Sequence, residues 1–109
     1  MNPISEKDIQ EVIRKIAEGA NPEKIILFGS YASGIPTADS DVDLLVVLNS
    51  DLSYLERHAQ VSGLVLDRKF PMDILVLTPS EIEKRMKATN SIVRDAVEHG
   101  RVMYERNKL

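Results

Sequence analysis

Cysteine is missing from this 109-residue chain. Its absence excludes disulfides and thiolate metal sites. Long apolar runs are missing too: the longest strictly apolar stretch is Leu44–Leu48, five residues, where a membrane-spanning helix needs about 20. The opening residues MNPISEKDIQ lack the basic-then-apolar layout of a secretory signal, so the expected location is the cytoplasm. There is no excess of positive charge. The formal net charge is −3, which argues against a broad nucleic-acid surface but leaves room for one triphosphate held by a few local donors and metal ions. Low-complexity tracts, internal repeats and linker-like segments are also lacking. What remains is an ordinary globular balance, 43% apolar and 28% charged. The length predicts one domain, residues 1–109, with a small core.

Hydrophobic spacing and turn residues predict the elements. Ser5 is placed to cap a helix over residues 5–18, with Ile9, Val12, Ile13, Ile16 and Ala17 at helical spacing and Gly19 as its stop. Lys24–Phe28 reads as a buried strand before a glycine. Tyr31–Ser33 reads as a helical turn, and Gly34–Ser40 as a polar loop. Asp41–Leu48 reads as a central strand. A second helix starts at Asp51 or Ser53 and runs to about Leu66, with Leu55, Ala59, Ser62 and Leu66 sharing one face and Leu52 and Val65 nearby. Met72–Leu77 is a third strand. Thr78-Pro79 opens a helix to about Lys87, Ser91–His99 forms another, and Arg101–Tyr104 a last short strand. The tail Glu105–Lys108 is expected to fray. This order predicts an α/β sandwich around one sheet.

Three features carry chemistry. Gly29-Ser30 follows a strand and precedes a helical turn. Glycine permits close approach to the backbone, and free N–H groups at a helix start favour phosphate. The bland alternative is an ordinary turn. Asp41-Val42-Asp43 opens the most apolar strand, and period-2 geometry puts both carboxylates on one face. Such a pair, partly buried, calls for a proton or a cation between its members, and Mg²⁺ is the natural hard ion; the alternative is a solvated loop end. Asp73 interrupts an apolar strand. It is either a third member of that carboxylate group or the partner of Arg68 or Lys69 in a salt bridge. Together these residues suggest a phosphoryl-group site with one or two metal ions.

The run Phe28-Gly29-Ser30-Tyr31-Ala32-Ser33-Gly34, followed after a short loop by Ser40-Asp41-Val42-Asp43-Leu44, resembles the signature of the DNA polymerase β-like nucleotidyltransferase superfamily. The likeness is greatest to its minimal stand-alone members. It is tightest over residues 25–48 and extends more loosely through Met72–Pro79. The resemblance implies a polymerase β palm-like fold, a central mixed sheet flanked by helices. It implies that Gly29 and Ser30 contact nucleotide phosphates, that Asp41 and Asp43 are metal ligands, and that Asp73 is the third carboxylate, binding metal and activating the attacking hydroxyl. It also implies Mg²⁺, one or two ions, with ATP as substrate and AMP transferred to an acceptor hydroxyl. The implied partner is a small helical toxin of the HEPN class, modified on a tyrosine, with this chain as the antitoxin. One departure stands out. Close relatives carry arginine where this chain has Ser33, which leaves Arg57, Arg68 and Lys69 as candidates to replace it. Two other readings use the same residues: an antitoxin that silences its partner by occlusion, and a metal-dependent phosphate-ester hydrolase.

Overall fold

A computed structural model describes residues 4–37, 39–89 and 91–106. Helix α1 (Glu6–Ala20) begins with a capping box, Ser5 and Asp8 each satisfying the other's backbone N–H. It buries Ile9, Val12, Ile13 and Ile16, as their spacing predicts. Gly19 does not end it. The helix runs on to Asn21, whose left-handed φ of 50° closes it. A Cβ on Gly19 would run into the Leu64 side chain, so this glycine serves helix packing.

Strand β1 (Lys24–Phe28) leads through Gly29 into the four-residue helix α2 (Ser30–Ser33). Strand β2 (Val42–Val47), helix α3 (Tyr54–Gly63), strand β3 (Met72–Leu77), helices α4 (Pro79–Met86) and α5 (Ile92–His99) and strand β4 (Arg101–Glu105) follow. Ser53 and Thr78 build capping boxes for α3 and α4. Ser91 caps α5, accepting from the N–H groups of Val93 and Arg94. Fraying does not set in at Glu105, which belongs to β4 with its carboxylate 3.4 Å from Lys24 Nζ, nor at Arg106, whose backbone N–H donates to the Glu23 carbonyl at 2.9 Å and Nη1 to the Asn21 carbonyl at 3.0 Å; residues 107 and 108 lie outside the described residues.

The sheet is mixed, in the order β3-β2-β1-β4. β1 is antiparallel to both neighbours, while β2 and β3 are parallel. α1 and α3 cover one face, where Ile25, Leu27, Leu44, Val46 and Val76 meet Ile16, Val61 and Val65. α4 and α5 cover the other, where Ile26, Leu45 and Leu77 meet Val93 and Ala96. The fold is therefore the expected mixed sheet flanked by helices. Among the described residues no helix is long and apolar enough to cross a membrane.

Helix α3 departs from its expected orientation. Leu55 and Leu66 are 80% and 77% exposed, and Ala59 is exposed too. The buried side is Arg57, Val61 and Val65. Arg57 is placed inside because it has partners there: Nη1 donates to the Leu52 carbonyl at 3.1 Å and Nη2 to Glu81 at 2.7 Å. Glu81 also accepts from the Thr78 backbone N–H at 2.9 Å. The ion pair thus ties α3 to the start of α4.

Candidate active site

The sheet faces decide what meets at the carboxylates. Along β2, Val42, Leu44 and Val46 point to the α1/α3 side. By alternation, Asp43 and Leu45 point to the α4/α5 side. On β3 the same alternation sends Ile74 and Val76 one way and Asp73 and Leu75 the other. The register then pairs Asp43 with Asp73 as direct Cα partners. Parallel strands lie about 4.8 Å apart, so two carboxylates rise side by side from adjacent strands. Asp41 lies just before β2, which starts at Val42.

The electrostatics register this crowding. The Asp43 carboxyl is held above the usual carboxylate range, first by burial, then by the negative charges of Asp73 and Asp41. The charges of Asp73 and Asp41 therefore both reach Asp43. Their environments differ, however. Asp43 is half-buried, whereas Asp41 and Asp73 are exposed. The apolar residues around Asp73 do not bury it: β3 is an edge strand, and water reaches this side chain. The burial argument belongs to Asp43. The alternative pairing of Asp73 with Arg68 or Lys69 is also not found among the described residues; Arg68 donates instead to the Val65 carbonyl at 3.0 Å. Among the described residues no three acidic or imidazole groups form a ready-made chelate. Carboxylates that repel one another close up only around a cation.

Gly29 completes the centre. Its φ of 75° and ψ of −155° lie where only glycine is at ease. A Cβ there would overlap the Asp43 carboxylate. The end of β1 is thus pressed against the half-buried acid. Ser30 follows as the first residue of α2, whose opening N–H groups have no acceptor inside the helix. Ser33 does not supply what an arginine would. It is exposed, and its hydroxyl donates back to the Ser30 carbonyl at 3.0 Å. Arg57 cannot replace that arginine either, because it is locked to Leu52 and Glu81 beyond the opposite ends of β2 and β3.

Gly29 and Asp43 line a cleft of about 520 Å³ with Phe28, Ser91, Ile92 and Asp95. The last three come from the start of α5, which sequence reading treated as a plain helix. Only the fold brings residues 91–95 back over residues 28–43. The one hint in the sequence is Ile92, an apolar residue off the buried stripe of Val93 and Ala96. Tyr31 is not in the cleft; it is buried, with its hydroxyl accepting from the Ile4 N–H at 2.9 Å.

Comparison with known proteins agrees with the fold. Residues 8–103 match the family model of the nucleotidyltransferase domain. A provisionally named protein adenylyltransferase of Methanocaldococcus jannaschii is 36% identical over 101 residues, covering 91% of this chain and 97% of that protein. A second from the same organism, with the same provisional name, is 31% identical over 111 residues, covering 98% of this chain and 74% of that protein. Among solved structures, a provisionally named nucleotidyltransferase from Sulfolobus solfataricus superposes with a TM-score of 0.66 at 24% identity, covering 94% of this chain and 81% of the other. A toxin–antitoxin structure with AMP-PNP superposes with a TM-score of 0.57 at 22% identity, covering 90% and 74%. At these identities the two structures speak for the fold alone.

Proposed function

The chain belongs to the nucleotidyltransferase domain family, and on that premise we propose that residues 1–109 act as one domain that transfers AMP from ATP to an acceptor hydroxyl. The observation that carries the reading is the in-register pairing of Asp43 with Asp73 beside a glycine that admits no side chain against Asp43. Asp41, Asp43 and Asp73 are the metal-binding set. They fit a hard divalent ion in donor type, and the raised Asp43 carboxyl marks where positive charge is wanted. One or two Mg²⁺ ions, when bound, would offset phosphate charge and favour the ionised form of the attacking hydroxyl.

The chain's own groups do the rest. Gly29 and Ser30 contact the phosphates of the triphosphate tail. Asp73 accepts the proton of the acceptor hydroxyl. The acceptor oxygen bonds to the α-phosphorus as the bond from that phosphorus to the oxygen bridging to the β-phosphate breaks, and pyrophosphate departs. The acceptor we propose is a tyrosine of a HEPN-class helical toxin, with this chain as its antitoxin in the cytoplasm. The names of the M. jannaschii relatives support protein as acceptor. The toxin–antitoxin structure solved with AMP-PNP shares this fold, which is why a toxin partner and an adenine nucleotide are proposed here. The test is intact-mass analysis of a purified HEPN-class helical toxin, after incubation with this chain, ATP and Mg²⁺. One added adenylyl group per partner is expected. An unmodified partner overturns the reading.

A second reading, silencing by occlusion without transfer, is favoured by one observation: no residue lining the cleft, among those described, is a cation. It predicts that mixing alone silences the partner, with no change in mass and no need of ATP.

A further inference from the structure

We infer that the first turn of α5 is the nucleoside-binding wall of the cleft, with Phe28 and Ile92 flanking the base and Asp95 accepting a hydrogen bond from the nucleoside. This rests on the transferase reading and assigns the part of the substrate that the carboxylates do not touch.

The strand order supplies the argument. Asp73, Asp43 and Gly29 lie on or directly after β3, β2 and β1, three consecutive strands. In-line displacement needs the attacking oxygen, the phosphorus and the leaving oxygen in a row. That row runs across the sheet: acceptor over the exposed edge at Asp73, α-phosphorus over Asp43, pyrophosphate towards Gly29 and Ser30. Both directions along it are taken. The nucleoside on the α-phosphorus must leave the row, and the element that rises beside Asp43 in the same cleft is the start of α5.

The chemistry of this wall suits a nucleoside and not a phosphate. It offers Ser91, Ile92 and Asp95 and, among the described residues, no cation, and a carboxylate repels a triphosphate tail. Ile92 is 64% exposed although it lines the cleft, and Phe28 lies half-buried on the floor. Together they offer apolar surface to the flat face of a base. Ser91 is occupied as the helix cap, so its oxygen lone pairs serve Val93 and Arg94. Asp95 Oδ1 lies 3.3 Å from His99 Nδ1 one turn on. Its acceptor capacity exceeds that single contact, and it is open to a nucleoside N–H or O–H.

The test separates the nucleoside from the tail. Dissociation constants are measured for AMP-PNP and for inorganic tripolyphosphate, both with Mg²⁺, on the wild type, Ile92→Ala, Asp95→Asn and Asp95→Ala. Glu98→Gln, on the same helix and outside the cleft, is the control. AMP-PNP binding is expected to weaken about tenfold in Ile92→Ala and Asp95→Ala, with tripolyphosphate binding unchanged. Asp95→Asn, which keeps a carbonyl acceptor, should fall in between. Both exposed positions tolerate substitution, so melting temperatures should stay level. AMP-PNP affinity within twofold of wild type overturns the inference and leaves the transferase reading standing. So does equal weakening of both ligands, or loss of transfer to the partner with AMP-PNP affinity unchanged, which would make α5 the acceptor's wall. A wild type that binds neither ligand overturns the transferase reading and this inference with it.

Discussion

Asp43 and Asp73 are direct Cα partners in the parallel β2–β3 pair, and only the first of them is half-buried. The asymmetry sets a pH dependence. Asp43 holds its proton more tightly in the folded protein than in the unfolded chain, because burial and the charges of Asp73 and Asp41 disfavour its ionised form. The associated stability is fully present below the ordinary value of 3.8 and is lost as pH rises through the raised folded value. Above that folded value the penalty applies. Asp43→Asn removes it. In buffer with a chelator at pH 7 this variant should melt higher than wild type. The difference should close as the pH falls towards 3. A variant that melts lower at pH 7 would contradict the crowding.

A divalent ion relieves the same penalty. Titration with Mg²⁺ should raise the wild-type melting temperature, with a gain of about 2.7 kcal/mol at a hundredfold excess over the dissociation constant. Asp43→Asn should show little or no response. Scanning fluorimetry reads both. An equal response in wild type and variant would place the ion elsewhere.

Gly29→Ala tests the close approach. The new methyl group must enter the space of the Asp43 carboxylate, at a φ of 75° that alanine resists. We expect a loss of more than about 1 kcal/mol in chemical denaturation together with loss of adenylyl transfer. Full activity in this variant would show that the β1 end is free to move.

Arg57→Ala separates structure from catalysis. Arg57 is 4% exposed and paired with Glu81. Removing it should cost ~2–3 kcal/mol, below the range for a fully buried pair because Glu81 is partly solvated. AMP-PNP affinity of the folded variant should be unchanged, since the pair lies beyond the other ends of the strands that carry the carboxylates. Leu66→Ser, at 77% exposure, should change stability by no more than about 0.5 kcal/mol.

The elements were legible in the sequence wherever local chemistry sets them. Ser5, Ser53, Thr78 and Ser91 cap the helices at the expected places, and the apolar runs form the strands. Asp41, Asp43, Gly29 and Ser30 were legible as one motif because they are close in sequence. The pairing of Asp43 with Asp73 depends on the β2–β3 register, which no local pattern encodes. The misread helix face has a physical cause. Periodicity alone favoured Leu55, Ala59, Ser62 and Leu66, but a buried Arg57 with a carbonyl and a carboxylate to bind turned α3 the other way. The α5 wall stayed hidden because Ser91, Ile92 and Asp95 read as an ordinary helix start until the chain folds them over Gly29.

The most direct measurement is a Mn²⁺ titration followed by electron paramagnetic resonance, with AMP-PNP present. The account predicts that wild type binds Mn²⁺ in one or two saturable sites and that Asp41→Asn and Asp43→Asn, both still folded, lose that binding. Undiminished Mn²⁺ binding in both variants would contradict it.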